Sequence, residues 1–161
     1  MTIRINLAAL ASGLACFTAT AIAGTNTHGT LVAKNAGGPY SQSQSVTIGE
    51  GKTKVVFWRV INPDGIDQEM TLDDGSTANL PAYKFTWYKG AKQKQSRNIT
   101  SQVANTGSGF DFTLPAGDTK VFSTVIKAND DSAGECLVGE ASSATTGNIR
   151  SAFVGINDGF C

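Results

Sequence analysis

The stretch from Lys54 to Gly65, reading Lys-Val-Val-Phe-Trp-Arg-Val-Ile-Asn-Pro-Asp-Gly, constrains the fold more than any other part of the chain. As far as Ile61 its residues are β-branched, aromatic or otherwise suited to a pleated surface, and the run then stops at Asn-Pro-Asp-Gly, a turn sequence. Alternate side chains of a strand point to opposite faces, so Val56, Trp58 and Val60 share one face and Val55, Phe57, Arg59 and Ile61 the other. At least one of these faces must be buried. The stretch is read as the central strand of a β-sandwich, onto which every later strand packs.

The strands expected around it are short and separated by turns. Upstream, Thr30-Leu31-Val32-Ala33 and Ser45 to Ile48 are short candidates, the second ending at Gly49-Glu50-Gly51. Downstream, Gln68 to Leu72 alternates and ends at Asp73-Asp74-Gly75. Tyr83 to Tyr88 alternates with Tyr83, Phe85 and Trp87 inward. A polar hairpin tip from Lys89 to Arg97 follows, with Ile99 and Val103 as apolar anchors. Phe110 to Leu114, Lys120 to Lys127 (Phe122, Thr124 and Ile126 on one side), Cys136 to Ala141 and Ile149 to Ile156 complete the set. Seven or eight short strands without helical patterning predict an all-β, single immunoglobulin-like antiparallel β-sandwich.

The first 23 residues read as a cleaved signal peptide. Arg4 supplies a positive start, Ile5 to Ala21 is largely apolar, and Ala21-Ile22-Ala23 offers small residues for cleavage. The apolar run is interrupted and short of the ~20 residues that span a bilayer, and no transmembrane segment follows it. Gly13-Leu14-Ala15 before Cys16 puts glycine where a lipoprotein signal wants leucine. The domain layout expected is therefore 1–23 signal peptide, 24–45 flexible leader with an edge strand, and 46–161 sandwich. The leader could instead add to the sheet of a neighbouring subunit. Localisation is expected to be periplasmic, cell-surface or extracellular.

Export bears on the cysteines. Of the three, Cys136 and Cys161 remain after the signal, and an even pair in an exported chain reads as a disulfide. Closing that loop contributes about 3–4 kcal/mol in the chain-entropy model. Pairing of the terminal Cys161 with another subunit is the alternative. The 13 basic and 13 acidic residues balance, and loss of Arg4 with the signal moves the net charge to about −1. That balance gives no global pull toward nucleic acid or an anionic membrane.

The motif order carries a resemblance. Trp58-x-Val60-x-Asn62, Tyr83-x-Phe85-x-Trp87-Tyr88-x-Gly90, Asn98-Ile99-Thr100-x-x-Val103, Phe112-x-Leu114-Pro115-x-Gly117 and Phe122-x-Thr124-x-Ile126 resemble bacterial extracellular immunoglobulin-like modules of the CARDB and NEW3 type. The likeness spans about Val46 to Ile156. It implies the same fold and a role as a spacer or binding unit, and its residues are packing and turn residues, silent on activity. Cys136 and Cys161 depart from that pattern.

Little catalytic chemistry is available. His28 is the only histidine and lies in the leader, so Ser-His-Asp and Cys-His sites lack a base, and a zinc site lacks ligands. No phosphate-cradling loop is present. Asp64, Asp67, Glu69, Asp73 and Asp74 crowd together, but a glycosidase needs two carboxyls across a cleft, and a sandwich of this length leaves little chain to build one. The chain is read as non-enzymatic. Asn62, Asp64 and Asp67, beside Gly65, are candidate calcium ligands, although Pro63 breaks the EF-hand spacing. Otherwise no cofactor is expected.

Lys89, Lys92, Lys94 and Arg97, with Tyr88, form a candidate binding surface at the hairpin tip. An anionic polymer or acidic partner would suit it, whereas nucleic acid is not expected for an exported protein. The acidic turn of one subunit facing the basic tip of the next would favour head-to-tail self-assembly. Asn98-Ile99-Thr100 fits the N-glycosylation pattern, but Asn98 is read as a hairpin residue. The function expected is that of a structural or adhesive module working through a protein partner or self-assembly. The alternative is a soluble carbohydrate-binding protein using exposed aromatics, with Tyr40, Trp87, Tyr88, Phe153 and Phe160 as candidates.

Overall fold

The computed structural model describes residues 29–76, 81–104, 107–130, 134–159 and 161. The expected signal peptide, His28 and Phe160 lie outside the described residues. Nine strands follow in chain order: β1 (Gly29–Ala33), β2 (Ser43–Val46), β3 (Thr53–Ile61), β4 (Gln68–Asp74), β5 (Tyr83–Lys89), β6 (Phe110–Leu114), β7 (Thr119–Ala128), β8 (Glu135–Ser143) and β9 (Ile149–Ile156). They form one sheet in the order β1-β3-β7-β5 and a second in the order β2-β9-β8-β4-β6.

The first order is that of strands A, B, E and D of an immunoglobulin domain. In the second sheet β4, β8 and β9 take the places of C, F and G. The fold is an immunoglobulin-like β-sandwich. Two details differ from the expectation. The strands number nine, because both short upstream segments pair, β1 with β3 and β2 with β9. The β2–β9 pair is parallel, whereas every other ladder is antiparallel. The loop between β1 and β2 carries the chain from the edge of one sheet to the edge of the other without reversing it. A single bridge between Val32 and Ser41 ties that loop back to β1.

The core follows from the parity of β3. Val56, Trp58 and Val60 are fully buried, and Val55, Phe57, Arg59 and Ile61 lie half-buried on the outer face. Trp58 stacks on Trp87 of β5, with ring centroids 5.2 Å apart, and its indole N–H donates to Thr124 Oγ1 of β7 at 2.8 Å. Its ring reaches across to the second sheet, where β8 offers only Gly139. Phe122 of β7 packs between Phe110 and Phe112 of β6. Ile99 and Val103, the expected anchors, are both buried. They are four residues apart because Thr100–Val103 forms a single helical turn, the one place where a period of 3.6 replaces the period of 2.

The last residues are clipped on. Cys136 and Cys161 form an intramolecular disulfide, as expected. Asn157 adopts a left-handed conformation, and its amide exchanges both hydrogen bonds with the backbone of Ile48, tying the end of β9 to the segment after β2. Gly159 lies so close to Glu135 that a Cβ would sit 2.3 Å from its backbone.

A methyl group on Gly139 would lie 2.5 Å from the Trp58 ring. Gly139→Ala is therefore expected to destabilise the protein by about 1–3 kcal/mol or more, as overpacking does. Urea unfolding should show a lower midpoint with an unchanged slope.

Candidate interaction surface

β3 and β5 are both antiparallel to β7 and hence parallel to each other, so they leave the sandwich at the same end. The exit of β3 is the acidic turn 62–67, and the exit of β5 is the basic tip 90–97.

The acidic turn is organised by Asn62. This side chain is buried, and its amide nitrogen donates to the carbonyls of Ile66, Leu114 and Pro115 at 2.9, 2.9 and 3.0 Å. Its oxygen accepts from the Asp64 N–H, and its own N–H donates to the Asp118 carbonyl. Asp64 accepts from Gln68 through its carboxylate and from the Gly117 N–H through its carbonyl. Asp67 accepts from the Ala116 N–H. The β3–β4 turn and the β6–β7 turn are thus one hydrogen-bonded unit.

This is where the structure places the three candidate calcium ligands. The Asn62 oxygen is engaged by a backbone N–H, and Asp64 and Asp67 each receive a donor. Among the described residues no three His, Cys, Asp or Glu side chains are gathered as a metal site. Sequence reasoning missed the partners, Gln68 and the Leu114–Pro115 carbonyls, which are distant in sequence or ordinary in type. Ile66, in the same turn as Asp64 and Asp67, is 56% exposed.

The basic tip is also held. Gly90 turns the chain with a φ of 75°, its N–H donates to the Val121 carbonyl, and its carbonyl accepts from the Ser123 hydroxyl. Gln93 folds back to donate to the same hydroxyl at 3.1 Å. Lys92, Lys94 and Arg97 are exposed. Lys89 is committed elsewhere: its ammonium lies 4.4 Å from the centre of the Phe110 ring. Tyr88 is half-buried on the outer face of the first sheet. The predicted cluster therefore divides into three exposed cations, one cation over the Phe110 ring, and one aromatic on a flanking face.

The two outer faces contrast. That of the first sheet carries Val55 opposite Val125, Phe57 opposite Ser123, Arg59 opposite Val121 and Ile61 opposite Thr119, with Thr86 and Tyr88 beyond. At its β1 side the Arg59 guanidinium stacks 3.9 Å from the centre of the Tyr40 ring. The outer face of the second sheet is hydroxyl and carboxylate along β4 and β6, and on β8 and β9 it sets Val138 opposite Phe153 beside Glu140 and Ser151. Thr71 donates to Asp111 at 2.6 Å, Thr113 to Glu69 at 2.9 Å and Ser151 to Glu140 at 3.3 Å. Asp73 lies directly opposite Glu140, an unfavourable like-charge pair.

Of the candidate sugar-stacking aromatics, Trp87 is fully buried and withdrawn from any surface role, while Phe153 is half-buried. Phe153 lines an open groove of about 660 Å³ with Thr30, Leu31, Gln42 and Arg150. A cavity of about 30 Å³ beside Asp64, Gln68 and Arg150 has room for roughly one water.

By sequence, no family model and no curated protein matches the chain. The resemblance to CARDB and NEW3 modules therefore holds only at the level of the immunoglobulin-like fold. Among solved structures the chain is similar to PapD-like domain 7 of human CEP192, with 10% identity, a TM-score of 0.43, and coverage of 79% of this chain and 82% of that one. It is also similar to the C-terminal domain of the Streptococcus pyogenes antigen I/II-family protein AspA (12% identity, TM-score 0.38, coverage 79% and 45%). A third similarity is to a family 123 glycoside hydrolase from Clostridium perfringens (10% identity, TM-score 0.38, coverage 72% and 23%). The chain spans under half the length of these last two. Likeness of this size transfers no ligand or activity.

Two outcomes follow. Asn62→Ala strands buried carbonyls, each costing about 1–3 kcal/mol, so a loss of roughly 3 kcal/mol or more is expected in chemical denaturation. Burial pushes the Asp74 carboxyl above the usual range against two hydrogen bonds from Ser76, with the charge of Asp73 adding to the rise. The folded state then binds this proton more tightly than the unfolded state, so the contribution is full at low pH and is lost as pH rises through the folded pKa. Asp74→Asn should flatten that decline in denaturation midpoints measured from pH 4 upward.

Proposed function

We propose that this protein is an exported, non-catalytic β-sandwich serving as a cell-surface or extracellular structural or adhesive module, and that it works by protein–protein contact. The observation that carries the proposal is the outer face of the first sheet. Val55, Phe57 and Ile61 of β3 lie beside Val121 and Val125 of β7 and Tyr88 of β5, a largely apolar, half-buried face that Tyr40 covers only at Arg59 and the 90–93 turn only at Ser123. Apolar sheet faces of this kind mark contact sites.

Three further features support it. The acidic residues of the β3–β4 turn are engaged in holding turns together rather than facing each other across a cleft. The intramolecular disulfide suits an oxidising compartment. No helix of the described residues is long and apolar enough to cross a membrane.

The test is made in the organism that produces the protein. Placing a photo-crosslinking residue at Phe57 (Phe57→p-benzoylphenylalanine) should give a discrete adduct in the extracytoplasmic fraction, with Cys136–Cys161 oxidised, and Val125→Glu should abolish it. Absence of any adduct, or recovery of the protein only in reduced form inside the cell, would overturn the proposal.

A further inference from the structure

The expected head-to-tail arrangement needs opposite charges at opposite ends of the subunit. The topology denies this. Both clusters lie at one end, because β3 and β5 run the same way on either side of β7. Two inter-strand spacings separate their exits, about 10 Å. A surface with an acidic pole and a basic pole side by side is complementary to itself. Rotating a second copy by 180° about an axis between the poles sets acidic against basic twice, and the contact is closed.

We propose that this end of the sandwich is a two-fold docking surface for a second copy of the same chain, acidic turn to basic tip in both directions. The proposal rests on the chain being a module that acts through its surface, and it names the partner.

Three properties of the surface favour the pairing. Both poles are pre-ordered, the acidic one by the Asn62 network and the basic one by the Gly90, Ser123 and Gln93 bonds, so little loop entropy is lost on contact. The carboxylates of Asp67 and Asp118 are exposed and each spends an oxygen on one backbone N–H, leaving acceptor capacity outward. Ile66, one of two large apolar side chains exposed by more than half among the described residues, stands within the acidic pole and would be covered by the partner. The cations facing it, Lys92, Lys94 and Arg97, are exposed.

Sedimentation of the purified protein at low and high salt tests this, with two charge-reversed variants. One, K92E/K94E, has two acidic poles. The other, D67K/D118K, has two basic poles. The wild type is expected to form a dimer whose affinity falls about tenfold or more between dilute and half-molar salt, since exposed charges are screened. Each variant alone should be monomeric, and an equimolar mixture should recover a one-to-one dimer, which also shows that both variants fold. A wild type that stays monomeric at low salt would overturn the proposal. A dimer that survives in either variant, a mixture that stays monomeric, or growth past the dimer would do the same. None of these outcomes touches the adduct at Phe57, and loss of that adduct leaves the salt-dependent dimer standing, so the two proposals fail separately.

Discussion

The indole of Trp58 is the contact on which the rest of the sandwich depends. It rises from the central strand of one sheet, stacks on Trp87, bonds Thr124 through its N–H, and closes the gap to the other sheet against Gly139. A large aromatic pair brings a sizeable buried area together with a geometric preference. Gly139 lets a strand approach the ring to a distance that no other residue would allow. The two sheets are thereby fixed at the spacing that β6, β7 and β9 fill with Phe112, Phe122 and Val154.

Once Trp58 faces inward, the period of the strand assigns every other residue on β3, and the ladders pass the assignment on to β1, β7 and β5. The outer face of the first sheet is apolar as a result of this parity. The second sheet, paired through β4 and β8, presents Thr71, Asp73, Asp111 and Glu140 instead. A chain with almost no net charge is therefore polarised by its fold.

The end of the sandwich repeats that lesson at the level of turns. Asn62 supplies its amide to carbonyls from two different turns, so the loops after β3 and after β6 cannot move independently. A buried polar group with every bond made is rigid as well as specific. The acidic pole is consequently a fixed surface rather than a mobile loop. On the other side of β7, the basic tip is fixed by the hydroxyl of Ser123. Charge complementarity between two such surfaces chiefly sets orientation and association rate.

Alternation alone made the strands legible in the sequence: Val56, Trp58 and Val60 inward, Phe122, Thr124 and Ile126 inward, with turns at Asn62–Gly65 and Pro115–Asp118. The two cysteines left after the expected signal peptide have one intramolecular pairing, Cys136 with Cys161, and the structure selects it over a bridge to another subunit. Local pattern carries that information because it depends only on whether neighbouring side chains share a face. The use of Asn62, Asp64 and Asp67 as turn staples was not legible, since the groups that join them to the second turn, at Leu114, Pro115, Ala116 and Gly117, lie some fifty residues away. Nor was the parallel seating of β2 beside β9, or the gathering of both charge clusters at one end. Those depend on which strands lie side by side and in which direction. That is decided only when distant segments meet to bury Trp58 and the faces aligned with it.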